Sequence, residues 1–139
     1  MKSQGRHVAV FVDSSVWIEW LRTRTDPRPL LRPWLLRRQC YTCGIVRAEV
    51  VRGVLSRSQR DKVEALFDVL EDVAITSTTW KEVSRRCWEL DRGGRILPLS
   101  DIVIAECVKK CGAWLVTLDK HFKEIPGIRT RTTLPREES

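Results

Sequence analysis

The chain has 139 residues, 42% of them hydrophobic and 31% charged, with 25 Lys and Arg against 18 Asp and Glu for a net charge of +7. That length carries one domain with a real core and is too short for two ordinary ones, and the composition excludes a disordered chain. No apolar run approaches the roughly 20 residues of a membrane span, and the N-terminus lacks a signal-peptide pattern, so a cytoplasmic protein with no membrane partner is expected.

The positive charge suits a polyanionic partner such as RNA, DNA or an acidic protein, without choosing among them. Five cysteines, at 40, 43, 87, 107 and 111, are an odd number in a chain without a secretion signal, which argues for free thiols. Cys40 and Cys43 have the spacing of a redox or zinc pair. They fall in an expected strand, where residues three apart point to opposite faces. All five cysteines are read as small buried hydrophobes.

Val8 to Val12 is a continuous apolar run that ends on Asp13, the pattern of a strand buried on both faces in a parallel sheet. Ser14 or Ser15 begins a helix whose inner face carries Trp17, Trp20 and Leu21. Thr23 to Pro29 reads as a loop and Leu30 to Arg38 as a helix, with Pro33 at its start or at a kink. Gln39 to Cys43 reads as a second strand. The segment after Gly44 reads as a helix ending near Gly53. Ser56 to Asp72 shows Val63, Leu66, Phe67 and Leu70 at helical spacing. Val73 to Thr76 is an expected third strand, followed by a capping box of Thr79 and Glu82. Trp80, Val83, Cys87 and Leu90 would line the next helix, stopped by Gly93 and Gly94. Asp101 opens another helix, closed by Gly112. Trp114 to Thr117 is a fourth strand leading to Asp119, and Ile128 to Thr132 a last one.

Strands alternating with helices predict an α/β fold, a three-layer sandwich with a mainly parallel sheet of four or five strands between helices. One domain over residues 1–139 is expected, with its core at about 8–131 and flexible ends at 1–6 and 134–139.

In open parallel sheets, ligands bind at the carboxyl ends of the strands. Asp13 and Asp119 each follow a strand and so reach that edge together. Asp101 opens the helix before the fourth strand, and Glu49 lies in the helix after the second. Each aspartate taken singly is also a good helix N-cap. Four carboxylates about 5 Å apart repel by roughly 3 kcal/mol per pair at an effective dielectric near 20. Such a group calls for protonation or a cation, and oxygen ligands without a His or Cys cluster suit Mg²⁺ or Mn²⁺. A basic protein with an acidic metal pocket fits phosphodiester hydrolysis.

The segments FVDSSVWIEWL, AEVVRG around Glu49, and LSDIVIAECVKKCGAWLVTLDKHF, taken in order, resemble the PIN-domain ribonucleases of the VapC toxin type. The resemblance spans about Val8 to Arg131. It implies a metal-dependent endoribonuclease in which Asp13, Glu49, Asp101 and Asp119 hold one or two Mg²⁺ or Mn²⁺ ions. Ser15 and Thr117 would be supporting hydroxyls. It also implies an RNA substrate, products with a 5′-phosphate and a 3′-hydroxyl, a cognate VapB-type antitoxin and a homodimer. The chain departs from the family pattern at His121, where a further acid is frequent, and at Glu106, where small residues are usual. His121 is read as a solvated loop residue or a phosphate contact, and Glu106 as a surface charge or interface contact.

Arg22, Arg24, Arg47 and Arg52 are candidate contacts to the RNA backbone. Trp17, Trp80 and Trp114 fit core positions, whereas Trp20, Trp34 and Trp88 suit exposed anchors. Two alternatives are a non-catalytic PIN-like module that binds nucleic acid or a partner, and a phospho-receiver domain. The second lacks the acidic pair after strand one, where Ser14 and Ser15 stand.

Overall fold

The computed structural model describes residues 8–136. In chain order it forms β1 (Val10–Val12), α1 (Ser14–Arg22), α2 (Pro27–Leu36), β2 (Cys40–Thr42), α3 (Gly44–Arg52), α4 (Arg57–Asp68), β3 (Glu71–Asp72), α5 (Ser77–Arg92), α6 (Leu99–Cys111), β4 (Trp114–Val116), a 3-10 turn (Lys120–Glu124) and β5 (Thr130–Arg131). The strands make one sheet in the order β3-β2-β1-β4-β5, and every neighbouring pair is parallel. The expected α/β architecture is therefore present. With β1 between β2 and β4, the order differs from the 2-1-3-4-5 order of receiver folds, which excludes that alternative. Among the described residues no helix is long and apolar enough to cross a membrane.

The central strand is the apolar run read from the sequence. Val10, Phe11 and Val12 are fully buried because helices cover both faces of the sheet. Register places Val12 opposite Val116, and the Asp13 N–H donates to the Val116 carbonyl at 2.9 Å. The chain segments that carry Asp13 and Asp119 thus leave the sheet side by side.

Helix α6 runs behind them and is the most enclosed in the protein. Every residue from Asp101 to Val108 is buried. Glu106, expected at the surface, is 6% exposed and pairs with Arg86 at 3.4 Å and Lys109 at 3.3 Å. The reason is that α6 has no outer face over these two turns, so leaving the face of Asp101 does not take a side chain to water. Gly112 ends the helix with φ +69°, and its N–H bonds the Val108 carbonyl at 2.9 Å. A Cβ there would touch nothing, so Gly112→Ala costs only the left-handed backbone, about 1–2 kcal/mol. We expect a lower urea midpoint at unchanged m-value.

Several boundaries moved. Helix α2 starts at Pro27, which stands at its first position after the Asp26 cap, where a fixed φ is favourable. Pro33 is inside it rather than at its start. Helix α4 stops at Asp68, and β3 is Glu71–Asp72 instead of Val73–Thr76. Leu70 and Val73 are buried on either side of this strand. The ladder itself follows the free edge of β2, through Tyr41–Glu71 and Thr42–Asp72. The capping box of α5 is Thr76 with Thr79, one turn earlier than expected, with reciprocal bonds of 3.3 and 3.1 Å.

Trp34 is buried, and its indole N–H donates to the Val8 carbonyl at 2.9 Å. Trp80 is 42% exposed, because Thr79, Val83 and Leu90 form the buried face of α5. Trp17 is core, with Trp20 half-buried edge-on against it. Trp114 is half-buried beneath Arg129 and Arg131, and Trp88 is exposed as expected.

All five cysteines are free thiols. Burial pushes Cys40 up to about 12. The neighbouring thiols of Cys43 and Cys107 shift each other in opposite directions, holding Cys43 below the usual thiol range and raising Cys107. Residues 1–6, expected to be flexible, lie outside the described residues. Of the expected tail, Leu134 packs against the core and Pro135 is buried.

Candidate active site

The site forms where β1 and β4 end. Asp13 caps α1 and is 3% exposed. Its Oδ2 accepts from the Ser15 hydroxyl at 2.6 Å, from the Thr117 hydroxyl at 2.8 Å and from the Ser15 N–H at 3.4 Å. Ser15 Oγ also accepts the Leu118 N–H at 3.0 Å, and Thr117 Oγ1 accepts the Asp119 N–H at 3.0 Å. Two hydroxyls therefore lock the loop after β4 to the carboxylate after β1. Short Ser and Thr side chains serve here because each is at once donor to a carboxylate and acceptor from a backbone N–H.

Asp101 enters from the first turn of α6, where a negative charge also suits the helix dipole. Asp119 caps the 3-10 turn through the His121 N–H at 2.9 Å. The imidazole Nδ1 of His121 lies 3.3 Å from Asp119 Oδ1 and 3.5 Å from Asp101 Oδ2. One donor atom from each of Asp101, Asp119 and His121 lies within 4.8 Å of the other two. Glu49 is outside this trio. It is half-buried on α3 and accepts from the Ser14 hydroxyl at 2.9 Å, so it is tied to the same helix start by the residue after Asp13.

The structure thus brings Asp13, Asp101 and Asp119 together with Glu49 beside them, and sets the half-exposed His121, expected as a solvated loop residue or a phosphate contact, against Asp101 and Asp119. The signal for His121 was its position two residues after Asp119, in a turn that folds back on its own cap.

Burial is the main cause that pushes Asp101 up to about 6, with the charges of Asp119 and Asp13 adding to it and His121 opposing. Its Oδ2 is buried without a hydrogen-bond partner. A desolvated carboxylate oxygen among like charges is under-satisfied, and a hard cation would satisfy it. The donor set of carboxylates with one imidazole fits a divalent ion.

The four candidate RNA-contact arginines are less well placed. Arg22 pairs with Glu19 at 2.7 Å, and Arg47 with Glu64 and Asp68 at 2.6 and 2.8 Å. Arg24 and Arg52 are exposed. Arg22 and Arg24 stand at the far end of α1, about 13 Å from Asp13 at 1.5 Å per residue. A groove of about 680 Å³ opens at that same far end, lined by Trp17, Trp20, Leu66 and Arg24 among others. It contains none of Asp13, Glu49, Asp101 and Asp119 and is separate from the site.

A profile described as PIN domain matches residues 10–128. The chain belongs to the PIN domain family. Its fold is that seen in VapBC toxin–antitoxin structures, as the motifs implied. VapBC2 from Rickettsia felis, solved bound to a DNA fragment from its promoter, aligns at TM-score 0.72 and 21% identity over 88% of this chain and 97% of that one. DNA-bound VapBC from Salmonella typhimurium aligns at 0.71 and 20%, covering 90% and 98%. VapBC-5 from Mycobacterium tuberculosis aligns at 0.58 and 19%, covering 90% and 97%. A comparison with curated proteins returned no match.

Proposed function

We propose that this protein is a metal-dependent endoribonuclease and the toxin of a cytoplasmic toxin–antitoxin pair. One observation carries the reading: Asp13, Asp101 and Asp119 meet at the carboxyl edge of a parallel sheet, and a buried Asp101 oxygen there has no hydrogen-bond partner. Membership of the PIN family supports a nuclease.

In this reading Asp101 and Asp119 hold the ion, with Asp13 beside them. Ser15 and Thr117 keep Asp13 in one orientation through the bonds described above. Glu49, steadied by Ser14, ligates the ion or orients the attacking water. Mg²⁺ or Mn²⁺ held there would supply a Lewis acid that activates water and offsets charge at phosphorus. Hydrolysis would leave a 5′-phosphate and a 3′-hydroxyl. The groove at the far end of α1 has an apolar floor, and its margin carries Arg24, Arg28 and Lys62 against Asp26, a net positive rim suited to an acidic amphipathic antitoxin segment. A homodimer is part of the same reading.

The test is cleavage of a mixed cellular RNA pool by the antitoxin-free protein, with Mg²⁺ or Mn²⁺, against Asp13→Asn. Discrete cuts with 5′-phosphate ends, lost in EDTA and in the variant, are expected. If folded wild type and variant both bind RNA and neither cuts it, the protein is a binding module and the acids are helix caps.

A further inference from the structure

We propose that His121 is a metal ligand in this chain, making the site a mixed nitrogen and oxygen one that favours first-row transition ions over Mg²⁺. This rests on the metal-dependent reading above and adds the identity of one donor.

The geometry comes from the turn. Asp119 Oδ1 accepts the His121 N–H at 2.9 Å, so the backbone curls and returns the ring to the same carboxylate. Nδ1 then lies 3.3 Å from Asp119 and 3.5 Å from Asp101. Phe122, the next residue, is fully buried, and its anchorage limits how far the His121 ring can swing. The Asp101 oxygen that faces Nδ1 at 3.5 Å is the buried one without a hydrogen-bond partner. Thus one nitrogen and carboxylate oxygens from two separate segments converge on a single small volume, within 4.8 Å of one another. The other edge of the ring is open to solvent, since the side chain is 51% exposed.

The consequence is selectivity. Mg²⁺ takes oxygen ligands in a demanding octahedral shell. An imidazole donor instead strengthens binding of Fe²⁺, Co²⁺, Ni²⁺ and Zn²⁺, in the usual order of stability above Mn²⁺. An aspartate at this position would restore an all-oxygen site. The residue at 121 therefore sets which ions the pocket discriminates.

Direct binding tests this without reference to cleavage. Mn²⁺ bound to the full chain should show nitrogen coupling in pulsed electron paramagnetic resonance. The chain has two histidines, so the coupling should vanish in His121→Asp and persist in His7→Gln. By calorimetry, the ratio of Co²⁺ to Mg²⁺ affinity should fall at least about tenfold in His121→Asp. Bound Mn²⁺ with no nitrogen coupling, and an unchanged ratio, would overturn the proposal and leave His121 as a charge neighbour of two carboxylates. Metal-dependent RNA cleavage would survive that outcome. Failure of the wild type to bind any of the three ions would remove the nuclease reading as well.

Discussion

Asp101→Asn is expected to lose at least about a hundredfold in RNA cleavage while making the metal-free protein more stable at neutral pH. Loss of activity follows if Asp101 holds the ion, since even groups that only support a metal ligand cost 10–100-fold when removed. The gain in stability has a separate origin. Burial, then Asp119 and Asp13, raise the Asp101 pKa from 3.8 to about 6. Between those values the folded protein holds a proton that the unfolded chain has released. Stability from this group is therefore complete below about pH 4 and is lost as pH rises through 6. At 1.36 kcal/mol per pKa unit the loss is about 3 kcal/mol. Asparagine cannot ionise and escapes it. Urea denaturation in EDTA from pH 4 to pH 8 should show the wild type weakening relative to the variant and the difference levelling above pH 6. Added divalent cation should restore the wild type alone. A variant no more stable than wild type at pH 7, or one that still cuts RNA, would remove Asp101 from this role.

Phe122→Ala is expected to cost about 3–5 kcal/mol, a large part of the 5–15 kcal/mol that holds an ordinary domain together. Phe122 is fully buried in the 3-10 turn, with Ile125, at 2% exposure, three residues further on at the end of the turn. These two side chains are what fasten the turn to the core. The same turn carries Asp119 at its cap and His121 inside it. Truncation therefore opens a cavity and also frees two of the three clustered donors. Denaturation should show the stability loss, and Mn²⁺ titration of the variant that remains folded should show weaker binding. Phe122→Leu, which refills most of the volume, should recover most of both. Equal metal affinity in wild type and Phe122→Ala would mean that the turn is held by its backbone bonds alone.

The acidic pocket was largely legible because it depends on local patterns. An apolar run into Asp13 marks a buried strand with a carboxylate at its end, and Trp114 to Asp119 repeats the pattern. Once both strands are parallel, both acids face one edge. Asp101 was legible as a residue in the first turn of an apolar helix. Ser15 and Thr117 could be named, but their shared hold on one oxygen of Asp13, across 104 residues in the case of Thr117, needed the folded chain. The approach of His121 to Asp101 and Asp119 was not legible, because two residues of sequence spacing do not tell whether a ring points to solvent or back to its cap. Glu106, Trp34 and Trp80 were misplaced for a common reason. Periodicity ranks the faces of a helix but does not report how many neighbours surround it. Helix α6 is enclosed over two turns and hides a glutamate, while α5 leaves a tryptophan in water.

By itself the sequence determined the alternation of strands and helices, the all-apolar β1 and the acids at the ends of two strands, since these follow from backbone periodicity and from the place where a carboxylate ends an apolar run. Tertiary structure alone decided that β1 lies between β2 and β4, that β3 forms at Glu71–Asp72, and that an imidazole joins two carboxylates. Strand pairing is governed by which edge remains open, and a side chain's partners by segments far away in the chain, so neither is written in the residues on either side.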